Sequence, residues 1–451
     1  MQVVFAQLLS IEVPMDIATI NQRLLEGKLN NEVMFPHLFR LHQSAFVFPI
    51  DFGLEKLPQD PGILLIRGPR QYGKSTWLEG QVVDTIKTFG PGNAFYLNGD
   101  FIPNMEALSN ELFKLAVSFP VKAKVKRIFI DEITAVRHWE TALKRLVDNG
   151  TLKDILVVTT GSKATDLRRG AERLPGRKGR LTRTSYLFTP ISYRNFHKVC
   201  HKVLKKNTLH AYLLSGGSPV ACAELAATGR IPEYVIELVR NWIEGEIAKE
   251  GRHRSALVNI LKVLFRFGGT PVGQAKLARE AGLANNTVAQ GYIELLHDLG
   301  CVVPAYPWDL QKQHYVLRKP CKYHLVNLLV ASCYDPNQVR STAEFDQLSA
   351  DQQGIWYEWA VAQELQRRSS LRGHEILKPL AFWQTKNHEI DFYDKEEGFI
   401  EVKRGKSNPL EFAWFPKQFE KRTLRVINQN VFTTTQLQGI NLEDFLLEKS
   451  P

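Results

Sequence analysis

The sequence predicts an α/β protein organised on a parallel sheet. Three observations carry that prediction. From residue 61 to 190, short apolar runs alternate with amphipathic ones. The first apolar run leads into a glycine-rich loop that opens the first amphipathic run. Beyond residue 345 strand-like runs return, and two of them carry acids.

Taken in order, "GILLIRG" reads as a strand and "KSTWLEGQVVDTIKTF" as a helix. "NAFYLNGD", "KRIFIDEI", "DILVVTTGS" and "TSYLFTPI" read as further strands, with "NMEALSNELFKLAVSF" and "HWETALKRLVDNG" as helices between them. Such alternation implies crossovers and a sheet covered on both faces. Residues 1–60 form a mixed N-terminal segment with an amphipathic piece around "IATINQRLLEGKL", and 61–190 form the α/β core. Residues 191–250 turn helical and basic, with a break at "SGGSP", and read as a helical lid. In 251–345, "SALVNILKVLFRF", "VGQAKLAREAG" and "ANNTVAQGYIELLHDLG" give three helices in a winged helix-turn-helix pattern. Residues 346–451 restart with a helix, three strand-like runs, another helix and a last strand.

The 451 residues favour about three domains on length alone. With 44% hydrophobic and 23% charged residues, the composition excludes disorder and a membrane class. No apolar stretch is long enough to span a bilayer, and "MQVVFAQLLSIEVPMD" lacks the basic leader and cleavage site of a signal peptide, so a cytoplasmic protein without membrane contact is expected. Five scattered cysteines (Cys200, Cys222, Cys301, Cys321, Cys333) form no C-x-x-C pair and read as packing residues. A net charge of +11 fits either a polyanion partner or a merely basic surface.

The loop "GPRQYGKST" matches G-x-x-x-x-G-K-[ST] at Gly68, Gly73, Lys74 and Ser75. Glycines allow the backbone of Gly68, Pro69, Arg70, Gln71, Tyr72 and Gly73 to wrap phosphate oxygens, with the positive end of the next helix behind them. Lys74 would reach the β- and γ-phosphates, Ser75 would hold Mg²⁺, and Thr76 would neighbour the α-phosphate. "RIFIDEI" ends in Asp131, a second Mg²⁺ group, and Glu132, which would polarise the attacking water; ligands collect at such strand ends. In "VVTTGS", Thr160 or Ser162 could sense the γ-phosphate or could cap a helix. The run "KATDLRRGAERLPGRKGRLTR" holds eight basic and two acidic residues. It is either a solvated charge run or the source of a catalytic arginine, with Arg177 and Arg180 as candidates.

Together "GPRQYGKST", "IFIDEI" followed by Trp139, "TTGS", "GRKGR", "TPISYRNF" and "YLLSGGSP" resemble prokaryotic AAA-type P-loop ATPases that carry a winged helix-turn-helix and a C-terminal restriction-endonuclease-like domain of unknown function. The resemblance covers nearly all the chain from about residue 36. It implies ATP and Mg²⁺ as cofactors at Gly68, Gly73, Lys74, Ser75, Asp131 and Glu132, and an arginine after the fourth strand, either Arg177 or Arg180, acting within or between chains of a homo-oligomer.

Two later stretches add chemistry. Asn285, Thr287 and Gln290 could enter a DNA major groove, with phosphate contacts from Lys276 and Arg279, although winged helices also dock proteins. In "FWQTKNHEIDFYDKEEGFIEVKRGK", Asp391 lies in one strand-like run and Glu401 with Lys403 in the next, the D…E-x-K arrangement of restriction-endonuclease-like nucleases. Glu401 and Lys403 share a strand face, and Asp391, Glu401 and Glu358 of the preceding helix could converge on a divalent metal. The plain alternative is a hairpin with ordinary surface charges. The expected function is Mg²⁺-dependent ATP hydrolysis acting on or near DNA. The alternatives are a slow nucleotide-gated switch or scaffold with an inert nuclease-like fold, and a metal-dependent DNA nuclease of a defence or mobile-element system.

Overall fold

The computed structural model describes residues 15–29, 32–162 and 179–449. Among these, the apolar runs of the first half become strands β1 (Gly62–Arg67), β2 (Ala94–Asn98), β3 (Arg127–Asp131), β4 (Leu156–Gly161) and β5 (Ser185–Leu187). They form a parallel sheet in the order β2-β3-β4-β1-β5. Alternation along each strand divides the core. Ile63, Leu65, Ile128 and Ile130 pack with Leu112 of α4 (Met105–Ser118) and Leu143 of α5 (Trp139–Asp148). Leu64, Ile66 and Phe129 pack on the opposite face with Leu78, Val82 and Ile86 of α3 (Lys74–Phe89).

Insertion of β4 between β1 and β3 sets up the chemistry, because the C-terminal tips of three neighbouring strands then lie side by side.

The expected amphipathic N-terminal piece is α1 (Ile17–Leu25). Its Asn21 side chain donates to the Tyr96 carbonyl and accepts from the Tyr96 amide, both at 2.8 Å, and so pairs with the open edge of β2. A helix not read from the sequence, α2 (Pro36–Gln43), packs on α3, where the Glu79 carboxylate accepts from the Leu38 amide at 2.7 Å.

The stretch expected as a helical lid, residues 191–250, forms four α-helices: α6 (Tyr193–Leu204), α7 (Thr208–Ser215), α8 (Pro219–Thr228) and α9 (Glu233–Lys249). Three more follow, α10 (Arg254–Arg266), α11 (Gln274–Glu280) and α12 (Asn286–Asp298), then β6 (Val302–Asp309), β7 (His314–Tyr315) and β8 (Lys322–Leu325). β6 pairs antiparallel with β8, and Val272, between α10 and α11, bridges to Cys321.

After α13 (Leu328–Tyr334) and α14 (Thr342–Asp346) comes the long α15 (Ala350–Leu371), then β9 (Leu380–Gln384), β10 (Glu389–Asp394), β11 (Gly398–Val402), α16 (Phe415–Gln418) and β12 (Leu424–Ile427). This is the helix, three strands, helix and strand expected from the sequence. Beyond it the chain adds a hairpin, β13 (Phe432–Thr433) and β14 (Leu437–Ile440), and α17 (Leu442–Leu447). β6 pairs in parallel with β9, so strands from residues 302–325 and 380–440 share one sheet across the section boundary near residue 345. The approach there is close: a Cβ on Gly268 would lie 2.5 Å from Ile355 of α15.

All five cysteines are buried and unbonded, as packing residues would be. No described helix is long and apolar enough to cross a membrane.

Candidate phosphate site and a buried acid cluster

The loop after β1 has the backbone that its glycines permit. Gly73 adopts φ +92°, a left-handed conformation that disfavours any side chain, and directly precedes α3. At Gly68 the constraint is space, since a Cβ there would meet the Phe188 carbonyl oxygen at 2.7 Å. Lys74 starts α3 and folds back over the loop, donating to the carbonyls of Gly68 (2.9 Å) and Pro69 (2.7 Å). Burial pushes its pKa down to about 8, against the pull of Glu132 and Asp131 nearby, while Arg70 adds to the depression. Ser75 and Thr76 follow in the first helical turn.

At the tips of β3 and β4 two hydroxyls hold two acids. Thr160 donates to Asp131 Oδ1 at 2.5 Å and accepts from the Glu132 amide at 3.0 Å. Ser162 donates to Glu132 Oε1 through its amide (3.1 Å) and its hydroxyl (2.9 Å), and Thr134 donates to the same oxygen at 2.5 Å. Glu132 stands at φ +45°, which turns it away from the direction of β3. Burial works against its ionisation, but Lys74, Thr134 and Ser162 outweigh it and hold the carboxyl below its ordinary range. Among the described residues, Thr160 and Ser162 bond the two acids.

The loop is also held from outside. Tyr72 is buried and donates to Asn327 Oδ1 at 2.8 Å, just before α13, and Ser218 donates to the Gln71 carbonyl at 3.3 Å. A small cavity of about 60 Å³ behind the loop is lined by Gly68, Pro69 and Ser162 together with His297, Gly300 and Leu377. A larger one, about 590 Å³, lies between α2 and α3 at Phe35, Leu38 and Val83, away from these groups.

Of the two candidate arginines, Arg177 lies outside the described residues. Arg180 is exposed in a turn whose Gly179 packs on Pro61, at the start of β1. The phosphate loop follows the other end of that strand, roughly 20 Å away at 3.3 Å per residue. Arg180 thus lies at the opposite end of β1 from the phosphate loop of its own chain. Among the described residues, Arg70 reaches this site: its Nε donates to Ser162 Oγ at 3.3 Å.

The C-terminal residues meet as the alternation predicts, but not around a space for metal. Asp391 of β10 donates its amide to Glu401 Oε2 (3.2 Å), and its carboxylate accepts from the Val402 amide (2.9 Å). Lys403 pairs with Glu401 at 2.7 Å. Into this group comes Lys322 of β8, wholly buried, its ammonium 2.8 Å from Asp391, 2.8 Å from Glu389 and 3.5 Å from Glu358. The acids thus converge on an ammonium where a divalent ion was expected, and among the described residues no group of three His, Cys, Asp or Glu is arranged to hold a metal. Burial opposes the charge of Lys322, yet Asp391, Glu358 and Glu389 hold its pKa well above the lysine range. Burial and then Asp391 push Glu401 up. His324, two residues along β8, is fully buried; burial and Lys322 push it down to about 3, so it is neutral. Lys322, His324 and Glu389 were not read as site residues. The one available signal was a lysine and a histidine on the same face of the otherwise apolar "CKYHLV".

Asn285, Thr287, Lys276 and Arg279 are exposed, whereas Gln290 is half-buried and accepts from Gln274 at 2.6 Å. Asn285 caps α12 through the Val288 amide.

Residues 60–197 match a family model described as an AAA domain, and residues 206–333 match a domain of unknown function (DUF8612). The first half of the chain thus carries an AAA-like P-loop ATPase domain. No curated protein matches the chain. Among solved structures it is similar to the Walker-type ATPase paby2304 of Pyrococcus abyssi (TM-score 0.42, 15% identity, 68% of this chain and 97% of that one). It is also similar to two variants of Thermotoga maritima RuvB (TM-score 0.30 for each, 17% and 16% identity, 54% of this chain and 81% of each).

Proposed function

We propose that the chain hydrolyses ATP with Mg²⁺ and couples that reaction to DNA. One observation carries the reading: Lys74, at the start of α3 after β1, lies close to Asp131 and Glu132 at the tip of β3, and Thr160 and Ser162 at the end of the intervening β4 fix the two acids. The residues fit a nucleotide with its Mg²⁺. Gly73 takes a left-handed conformation and Gly68 has no room for a Cβ, as a tight phosphate turn requires, and the Lys74 ammonium is held only by neutral loop carbonyls that a phosphate could replace. Ser75 and Asp131 would hold Mg²⁺, which when bound draws off charge from the β- and γ-phosphates. Glu132, kept ionised by its surroundings, takes a proton from water as the water oxygen bonds the γ-phosphorus. The bond to the bridging oxygen breaks, and its electron pair leaves with ADP.

For DNA, the support is the winged helix-turn-helix reading of α10 to β8. The start of α12 presents Asn285 and Thr287, with Lys276 and Arg279 nearby in sequence. For the C-terminal fold, the Lys322 ammonium among the acids favours an inert nuclease-like domain over a metal-dependent nuclease. Arg180, exposed at the far edge, suits a partner chain in a homo-oligomer rather than its own site.

Phosphate release measured with and without duplex DNA tests the reading. Turnover that rises on adding DNA is expected, as is a Glu132→Gln variant that binds ATP with unchanged affinity and turns over at least about 100-fold more slowly. Undiminished hydrolysis in that variant removes Glu132 from the reaction, and a wild-type chain indifferent to ATP removes the function.

A further inference from the structure

The phosphate loop contains one arginine, and its side chain lies between three parts of the site. Arg70 Nε donates to Ser162 Oγ (3.3 Å), and Ser162 in turn holds the Glu132 carboxylate by two hydrogen bonds. Arg70 Nη2 lies 3.8 Å from Glu246 Oε1 on α9 of the lid. Its charge is also close enough to Lys74 for the two cations to repel. The guanidinium thus stands beside the lysine that would grip the terminal phosphate, next to the carboxylate that would activate water, and against the lid.

Its ties are weak. The side chain is 42% exposed, and both contacts are long for a guanidinium. Glu246 has a second cation, Lys249, at 2.8 Å, so Arg70 can leave without stranding that carboxylate. A terminal phosphate near Lys74 would offer Arg70 a doubly charged, bidentate acceptor in place of one hydroxyl and one distant carboxylate.

We propose that Arg70 is the in-chain arginine of this site: when nucleoside triphosphate binds, its guanidinium passes from Glu246 and Ser162 to the terminal phosphate. There it neutralises charge that develops as the phosphoryl group transfers, and α9 loses its tie to the loop. The proposal rests on the ATPase reading, and it assigns within one chain the role expected from the sequence of Arg177 or Arg180.

The test uses the full-length protein with Arg70→Ala, and Lys74→Ala beside it. Arg70→Ala is expected to keep its thermal midpoint and to bind ADP within about threefold of wild type. It is expected to lose at least about 100-fold in kcat and to bind ADP with aluminium fluoride, a mimic of the transferring phosphoryl group, at least about 30-fold more weakly. Millimolar guanidinium added to the variant should restore part of the turnover. Turnover within about threefold of wild type would overturn the proposal. So would equal losses in ADP and ADP-aluminium fluoride affinity, which would mean that Arg70 only shapes the loop. If Lys74→Ala still binds ATP normally, the ATPase reading itself fails, a different result from either.

Discussion

Two clusters in this chain draw on the same residue types, lysines facing buried carboxylates, and they differ in how far the lysine's charge is compensated. At the sheet tips, Lys74 spends its hydrogen bonds on two loop carbonyls, and its charge is destabilised by burial. In the second sheet, Lys322 is ringed by Asp391, Glu389 and Glu358, and its charge is strongly stabilised despite deeper burial. A cation left short of counter-charge is a binding site for an anion; one already supplied is a structural ion group. The acids differ in the same way. Glu132 is held ionised by donors that all bond one oxygen, Oε1, whereas Glu401 is pushed toward its neutral form.

The largest effect that would break this contrast is expected at Lys322. Lys322→Met keeps the length of the side chain but leaves three acids around a buried, uncompensated site. It should cost about 3–5 kcal/mol of stability at neutral pH, read by urea unfolding. Without the ammonium, burial would leave the folded-state pKa values of Glu358 and Asp391 above their unfolded values. Stability is then retained at low pH and lost as pH rises, so the penalty should be smaller at pH 5 than at pH 8. A variant as stable as wild type at pH 8 would mean that Lys322 is no counter-ion. Next comes Lys74→Ala, expected to weaken ATP binding about 100-fold, or about 2.8 kcal/mol, with little change in unfolding. Calorimetric titration measures it, and an unaltered Kd would erase the difference between the clusters.

The smallest effect sharpens the contrast through pH. With a pKa of about 8 in the empty site, Lys74 loses its proton as pH rises past that value, while bound triphosphate would hold the proton on. Binding above pH 8 should therefore take up protons, and Kd should rise by up to about tenfold per pH unit. Titrations at pH 9 in buffers of different ionisation enthalpy would detect the uptake; none would place the Lys74 pKa well above 9.

The first cluster was legible because its residues are close in sequence and lie at the ends of strongly patterned strands. The loop, the Asp131–Glu132 pair and the Thr160–Ser162 pair each stand at a predicted strand tip, and parallel pairing brings those tips together. Helix α2 was missed because eight residues opening on a proline give little periodicity to read. The second cluster was only half legible. Alternation along β10 and β11 accounts for the meeting of Asp391, Glu401 and Lys403, but Lys322 arrives through the pairing of β6 with β8 and β9, a non-local contact that no local pattern encodes. The place of Arg180 was hidden for a related reason. Its nearness in sequence to β4 said nothing about which end of β1 the returning chain would meet.

The hydrogen bond from Tyr72 to Asn327 has a practical meaning for anyone dissecting the chain. It fastens the nucleotide loop to a point only five residues beyond Lys322. Cutting after the lid to isolate a minimal motor would strand a buried phenol without its acceptor and strip Pro69 of its neighbour Gly300. A shortened protein that binds nucleotide poorly would therefore report a damaged loop and not an absent regulator.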